Sequence, residues 1–371
     1  MCGEERFVDR RAFLRAGAAA AAVAAPVPVA APAIAQSAPE IRWRMTSSFT
    51  KSHEILFGTC QLLCRYVAEA TDNKFQIQAY SAGELATSRQ ALDVVASGAV
   101  ECAHTPLSLH VAKDPTLGVG AGLPFGLNAR HQQSWWAFGG GSRLVNAALQ
   151  KLGTYAIPAG SIGAQMGGWF KREINSIDDL KSLRFRINGI GGPIFARLGA
   201  VPFDLPHANV IGALEQNAID GAEFLCPHDD EKIGLARAAR YNYWPCWWES
   251  AGVVHLVVNL QKWGMLPSHY QAIVARACDA AHVHLLAKYD SVNPPALKRL
   301  IASGVSMRPF PQPMMEAFYR ATNEHFAEVA AKDAQFKKAM ESVNAYRRDH
   351  LQWLQISEHA FDAFLINASR A

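Results

Sequence analysis

Polar and apolar positions alternate with a period of two over Ile41 to Met45 (IRWRM) and again over Phe75 to Tyr80 (FQIQAY), the pattern of strands with one buried face. Between them, from His53 to Ala70, Ile55, Leu56, Leu62, Leu63 and Val67 recur at helical spacing, and the run ends in the turn residues TDN. Ser88 to Ser97 is helical again, and Gly98 breaks it before the short strand-like segment AVECAH. The order β-α-β-α-β predicts an α/β sheet with right-handed crossovers.

From Val111 the composition turns to Gly, Pro and aromatic residues (KDPTLGVGAGLPFGLNARHQQ), too irregular for core secondary structure and suited to lining a cleft. A helix resumes from Trp135 to Leu152, broken by Gly139-Gly140-Gly141. Tyr155 to Gly160 and a glycine-rich strand holding Gln165 (GAQMGGWF) lead into a second lobe. There, Arg184 and Arg186 alternate on LRFRI, followed by the turn NGIGG, the helical PIFARLGA and the strand VPFDL. The block ALEQNAIDGAEF then runs to Glu223. Residues 91–101 (ALDVVASGAVE) share its helix–break–strand pattern, which duplication and chance explain equally well. Tyr241 to Glu249 (YNYWPCWWE) reads either as a hydrophobic lobe edge or as a ligand-facing wall. Val253 to Asn259 is a buried strand returning to the first lobe. Beyond it come helices from Ser268 to Tyr289, a break at Asn293-Pro294-Pro295, a helix from Pro295 to Ser303 and an extended piece from Met307 to Pro311. Two long helices follow, Met314 to Ala330 and Lys332 to Ile366. The expected architecture is a two-lobed α/β fold with a ligand cleft between the lobes. Residues 36–159 plus about 251–290 form lobe I, 160–250 lobe II, and 291–371 are helices that brace both lobes and offer a dimer contact.

The length of 371 residues suits about two lobes, and 50% hydrophobic residues with a mean hydropathy of −0.01 are ordinary for a globular chain. A net charge of +4 with no dense basic block excludes a nucleic-acid footprint. Residues 1–35 read as a cleaved leader. Arg10-Arg11 precedes an Ala-rich, weakly apolar run that ends in Ala33-Ile34-Ala35. Paired arginines with so weak an apolar run favour the twin-arginine route and a soluble periplasmic product; the alternative is a disordered tail. No later run approaches the roughly 20 apolar residues of a membrane helix. Cys2 goes with the leader, leaving Cys60, Cys64, Cys102, Cys226, Cys246 and Cys278, without zinc-type spacing or scaffold density. Cys60 and Cys64, one helical turn apart, read as buried thiols, with a disulfide as the alternative.

Catalytic signatures are missing: no G-x-S-x-G, H-E-x-x-H or P-loop occurs, and NGIGGPIFARLG has its glycines at the wrong spacing for a dinucleotide site. Five adjacent ligand-type residues, Cys226 to Asp230, cannot all face one ion, so a solvated loop or helix cap is expected there. His282 and His284 read as surface or core residues. The remaining chemistry is Arg186 beside a Gly-rich turn that opens a helix, which suits a carboxylate, and Glu223, which suits a small hard cation. Gln165, Arg186, Glu223 and Glu249 each lie near strand ends beside Gly-rich or aromatic segments, where open α/β folds bind ligands. The bland alternative is a strand salt bridge between Arg186 and Glu223.

These motifs carry a family likeness. GELATSRQALDVVASGAVECAH, LPFGLNARHQ, AQMGGWFKREI, LRFRINGIGGPIFARLGAVPFDLP, ALEQNAIDGAEF and YNYWPCWWE together resemble the solute-binding subunits of tripartite ATP-independent periplasmic (TRAP) transporters, in particular the branch for 2-oxoacids and lactate. The resemblance spans nearly the whole mature chain. It implies that Arg186 grips the substrate carboxylate, that Gln165 touches substrate and metal together, and that Glu223 ligates the ion. It also implies that Phe224 offers its backbone carbonyl to the ion and borders the substrate, and that Glu249 faces the ligand. A sodium or calcium ion would be co-bound, the acid chelating it. Implied partners are a small carboxylate such as pyruvate or lactate, the TRAP membrane permease and a second copy of the chain in a homodimer; nucleic acid is not among them.

Two departures stand out. Phe224 replaces a Trp common in that branch, and Leu107-Ser108-Leu109-His110 stands where a Tyr-rich segment is usual, which puts His110 in the substrate pocket as a hydrogen-bonding or titrating group. The expected role is binding without catalysis, by closure of two lobes over the anion. A periplasmic sensor for a membrane receptor would use the same site. A metal-dependent enzyme using Glu223, Glu249 and His228 is a further alternative.

Overall fold

The computed structural model describes residues 39–369, so the leader expected over 1–35 lies outside the described residues. The described strands are β1 (Ile41–Ser47), β2 (Phe75–Tyr80), β3 (Cys102–Pro106), β4 (Thr154–Ser161), β5 (Trp169–Phe170), β6 (Arg184–Arg186), β7 (Val201–Phe203), β8 (Gly221–Ala222), β9 (Tyr241–Trp244), β10 (Val253–Asn259) and β11 (Ser306–Pro309). They form two sheets, in the orders β2-β1-β3-β10-β4 and β11-β9-β5-β8-β6-β7.

In the first sheet β1 runs parallel to β2 and β3, and β10 is antiparallel to β3 and β4. The run VVHLVVN explains the central place of β10: all seven residues are buried, as a strand covered on both faces requires. Helix α1 (Glu54–Glu69) packs on β2 and buries Ile55, Leu56, Leu62, Leu63 and Val67, the positions its periodicity marks.

The second sheet is held by rings. Phe185 stacks on Phe195 (4.9 Å), Phe195 on Trp247 (5.4 Å), and Trp247 on Phe318 (4.6 Å). The aromatic run therefore does both things expected of it: Tyr243 and Trp247 are core, while Trp248 and Glu249 border a cavity.

Several expectations fail for identifiable reasons. Thr116–Ala121 is a buried helix rather than an irregular segment, although Gly118 within it and Gly122 after it do line the cavity described below. Its glycines permit close packing: a Cβ on Gly120 would come within 2.9 Å of Val145. Helix α2 (Ser268–Ala302) runs unbroken through Pro294 and Pro295. Its packing on β4, on α1 and on the helix Pro227–Ile233 outweighs the usual proline break. The extended piece expected over Met307 to Pro311 is found as an edge strand, Ser306–Pro309, parallel to β9. Gln165 lies in a loop, and the strand after it is only two residues long.

The C-terminal helices α3 (Gln312–Lys332), α4 (Ala334–Ile356) and α5 (Glu358–Ala368) follow. Phe318 of α3 joins the aromatic core of the second sheet, and Phe326 joins the core around Trp135 beside the first. Among the described residues no helix is long and apolar enough to cross a membrane.

Candidate functional site

A cavity of about 440 Å³ lies between loops of the two sheets. Arg186, Glu223, Phe224 and Glu249 border it; Gln165 does not border it but stands against Glu249, its Nε2 donating to Oε2 at 2.8 Å. Five sequence-selected residues are thus brought into one place.

Arg186 ends β6 and is fully buried. Its Nε donates to the Leu205 carbonyl (3.0 Å), and its Nη1 donates to the backbone carbonyl (2.9 Å) and Oε1 (2.5 Å) of Glu223. Asn188, just past β6, adds a backbone N–H to the same carboxylate oxygen (3.2 Å), and its side-chain oxygen accepts from Arg186 Nη2. Burial pushes the Glu223 carboxyl up, and the adjacent guanidinium opposes this. The strand salt bridge considered from sequence is therefore real, and it is built into the wall of the cavity.

Glu249 differs. Its carboxyl rises to about 7, chiefly by desolvation, with Gln165 and Ser108 opposing and Glu223 adding to the rise. Among the described residues it has no cationic partner within salt-bridge distance. Glu223 thus neutralises the buried arginine, while Glu249 is a second carboxyl that is costly to ionise there and that a cation would relieve.

The supporting structure fixes the segment 223–226. Asp230, in the first turn of helix Pro227–Ile233, accepts from Trp169 Nε1 (2.7 Å) and Leu225 N–H (3.2 Å). Met166 N–H donates to the Leu225 carbonyl (3.4 Å), tying the Gln165 loop to the same segment. Asp229 and Asp230 are buried, with carboxyls raised by desolvation to about 6 and about 8. Of the solvated loop or helix cap expected for Cys226 to Asp230, the cap is found: Cys226 is the N-cap of a buried helix start that buttresses the site. His228 lies outside the cavity lining, which removes the catalytic trio of Glu223, Glu249 and His228.

His110 is also displaced from its expected role. It is buried beneath the cavity wall with Nε2 3.0 Å from Thr105 Oγ1, and desolvation lowers it to about 4. Its neighbours Ser108 and Leu109 border the cavity instead. Among the bordering residues that escaped sequence reading are Arg89, ion-paired with Asp204, Asn188 and His207. The His207 ring lies 5.0 Å from Phe224 and 5.3 Å from His53, and desolvation lowers its proton affinity, with Arg186 adding to the effect. Of these only Asn188 had a local signal, its place at the head of the NGIGG turn.

Among the described residues no three His, Cys, Asp or Glu side chains form a metal cage. The donors present are an amide, carboxylates and backbone carbonyls. That all-oxygen set fits a hard cation whose coordination is completed by a ligand's own oxygens.

Residues 46–333 match the family of bacterial extracellular solute-binding proteins, family 7. The chain is 41% identical over 326 residues to a monocarboxylate 2-oxoacid-binding periplasmic protein of Nostoc sp., covering 88% of this chain and 89% of the relative. It is similar to a TRAP transporter solute-binding protein from Bordetella bronchiseptica solved with calcium and picolinate. There the identity is 38%, the TM-score 0.88, and the coverage 90% of this chain and 99% of that one. A second such protein, from Pseudoalteromonas atlantica with sodium and pyruvate bound, is 32% identical with a TM-score of 0.84 over 87% of this chain and 98% of its own.

Proposed function

The chain belongs to the family-7 bacterial extracellular solute-binding proteins, and from that premise we propose that it captures a monocarboxylate 2-oxoacid or 2-hydroxyacid together with a sodium or calcium ion. It delivers the acid to the membrane permease of a TRAP transporter. It acts in the periplasm after twin-arginine export, as a carrier rather than an enzyme, and as a homodimer.

The observation that carries this reading is the charge balance of the cavity. Arg186 supplies one positive charge at the wall, Glu223 cancels it, and Glu249 is left without a cationic partner. An acid that brings a cation resolves both problems: its carboxylate meets Arg186, while the ion meets the carboxylates. Gln165, Glu223 and the Phe224 carbonyl would hold the ion, and the ion would present a Lewis-acidic point to the acid's two oxygens. Arg186, Gln165, Phe224 and Glu249 would contact the acid. The relatives with calcium or sodium beside a small acid support the pairing.

Thermal unfolding of the mature protein with short 2-oxo, 2-hydroxy and dicarboxylic acids, in calcium or in chelator, tests it. Saturation at 100 times Kd stabilises by about 2.7 kcal/mol. That gain is expected only with acid and cation together. It should vanish in Arg186→Lys, which keeps the charge but loses the forked geometry. Stabilisation that ignores both the chelator and Arg186 would refute the site.

A further inference from the structure

The cavity is larger than a three-carbon acid needs. Its 440 Å³ equals roughly fifteen waters at ~30 Å³ each, whereas such an acid with its cation displaces on the order of five. The surplus is not the gap of an open cleft, because the two sides already meet around it. Arg89, in the loop after β2, is ion-paired with Asp204 after β7, and Lys232 with Glu54 at the start of α1. The rings of His53 and His207 also meet across the gap.

The first-sheet side of the cavity offers a ligand few free polar groups. Ser48 Oγ donates to Thr105 Oγ1 (2.6 Å), Ser88 Oγ to the Ser48 carbonyl (2.7 Å), and Thr87 Oγ1 to Gln90 Oε1 (2.8 Å). With these hydroxyls engaged, Phe49, Ala82 and Leu109 present hydrocarbon. The facing side adds Leu205 and the Phe224 ring. Arg89 and Arg186 are the lysine or arginine residues on the lining, and each already has a carboxylate partner. With Arg186 taken by the acid's own carboxylate, a second carboxylate on the ligand would meet only Arg89, which Asp204 already holds.

Resting on the carboxylate-and-cation reading of the site, we infer that the preferred acid is a 2-oxoacid with a branched or aromatic uncharged side chain, and that Phe49, Ala82 and Leu109 set the length of that side chain. Calorimetric titration in calcium with pyruvate, 4-methyl-2-oxopentanoate, phenylpyruvate and 2-oxoglutarate tests this. The two longer apolar acids should bind at least about tenfold more tightly than pyruvate, as the burial of several extra carbons implies. 2-Oxoglutarate should be the weakest of the longer acids. Ala82→Phe, checked for folding by its unfolding midpoint, should abolish the advantage of the longer acids over pyruvate. Pyruvate binding as tightly as the longer acids to the unaltered protein overturns the inference and leaves the carboxylate-and-cation site standing. If no acid of any length binds, the site reading fails and the inference falls with it.

Discussion

At the scale of single residues, buried ionisable groups set how the ligand-free protein responds to pH. His104, His110 and His282 are lowered to about 4 and His255 to about 3 by desolvation. They stay neutral in the folded chain but bind protons at about pH 6.5 when unfolded, so stability rises with pH up to that point. Glu249 at about 7 and Asp230 at about 8 hold protons in the folded chain that their unfolded forms release near pH 4, so each lowers stability as pH rises. Between pH 4 and 6.5 the four histidines outweigh these acids and Asp229; above 6.5 only the acids act. The unfolding midpoint in chelator should therefore peak near pH 6.5 and fall toward pH 8, with Glu249→Gln flattening the fall. A midpoint that keeps rising to pH 8 would show that these carboxyls ionise at ordinary values. The residue types behind the site were legible in sequence, because Arg186 and Glu223 sit beside turns that only a binding site or a salt bridge explains. Arg89 and His207 were not legible: each reaches the cavity from a turn or a single-turn helix whose place depends on the rest of the fold.

Among the elements, those with long periodic patterns were readable. β1, β2, β10 and α1 fall where alternation or helical spacing puts them, because each buries a repeating set of side chains. Two-residue strands such as β5 and β8 carry no pattern and exist only because neighbours pair with them. Gly221 shows how tight that pairing is: a Cβ there would stand 2.6 Å from the Trp169 carbonyl oxygen and 2.9 Å from the Phe185 ring. Backbone on one side and a buried ring on the other leave no room to give. Gly221→Ala should cost about 1–3 kcal/mol by overpacking, measured by denaturant unfolding. A neutral outcome would mean that β8 can shift without harm. The unbroken α2 teaches the converse, since its prolines forecast a break that packing along its length overrides.

On the scale of the whole molecule, the C-terminal helices carry a group of exposed apolar side chains that the fold itself leaves uncovered. Leu351, Trp353 and Ile356 of α4 and Phe361, Phe364 and Ile366 of α5 are all more than half exposed. Six large apolar side chains left exposed on two consecutive helices are what an association site offers, which supports the proposed homodimer. Removing residues 357–371 should shift the mass seen by light scattering toward the monomer while acid binding is retained. A full-length chain that is monomeric at micromolar concentration would refute the dimer. The helical excess after β10 was visible in sequence; how it is covered was not, since periodicity marks an apolar face without naming its partner.

All six cysteines of the described chain are unpaired, and five of them are buried. Thiols survive in an oxidising compartment only if they are out of reach on arrival. A chain threaded across a membrane in extended form would present all six to oxidants together, with fifteen ways to pair them. A chain that crosses already folded presents little more than the partly exposed Cys246. The export route proposed above, which carries folded cargo, would deliver these thiols already enclosed by the core.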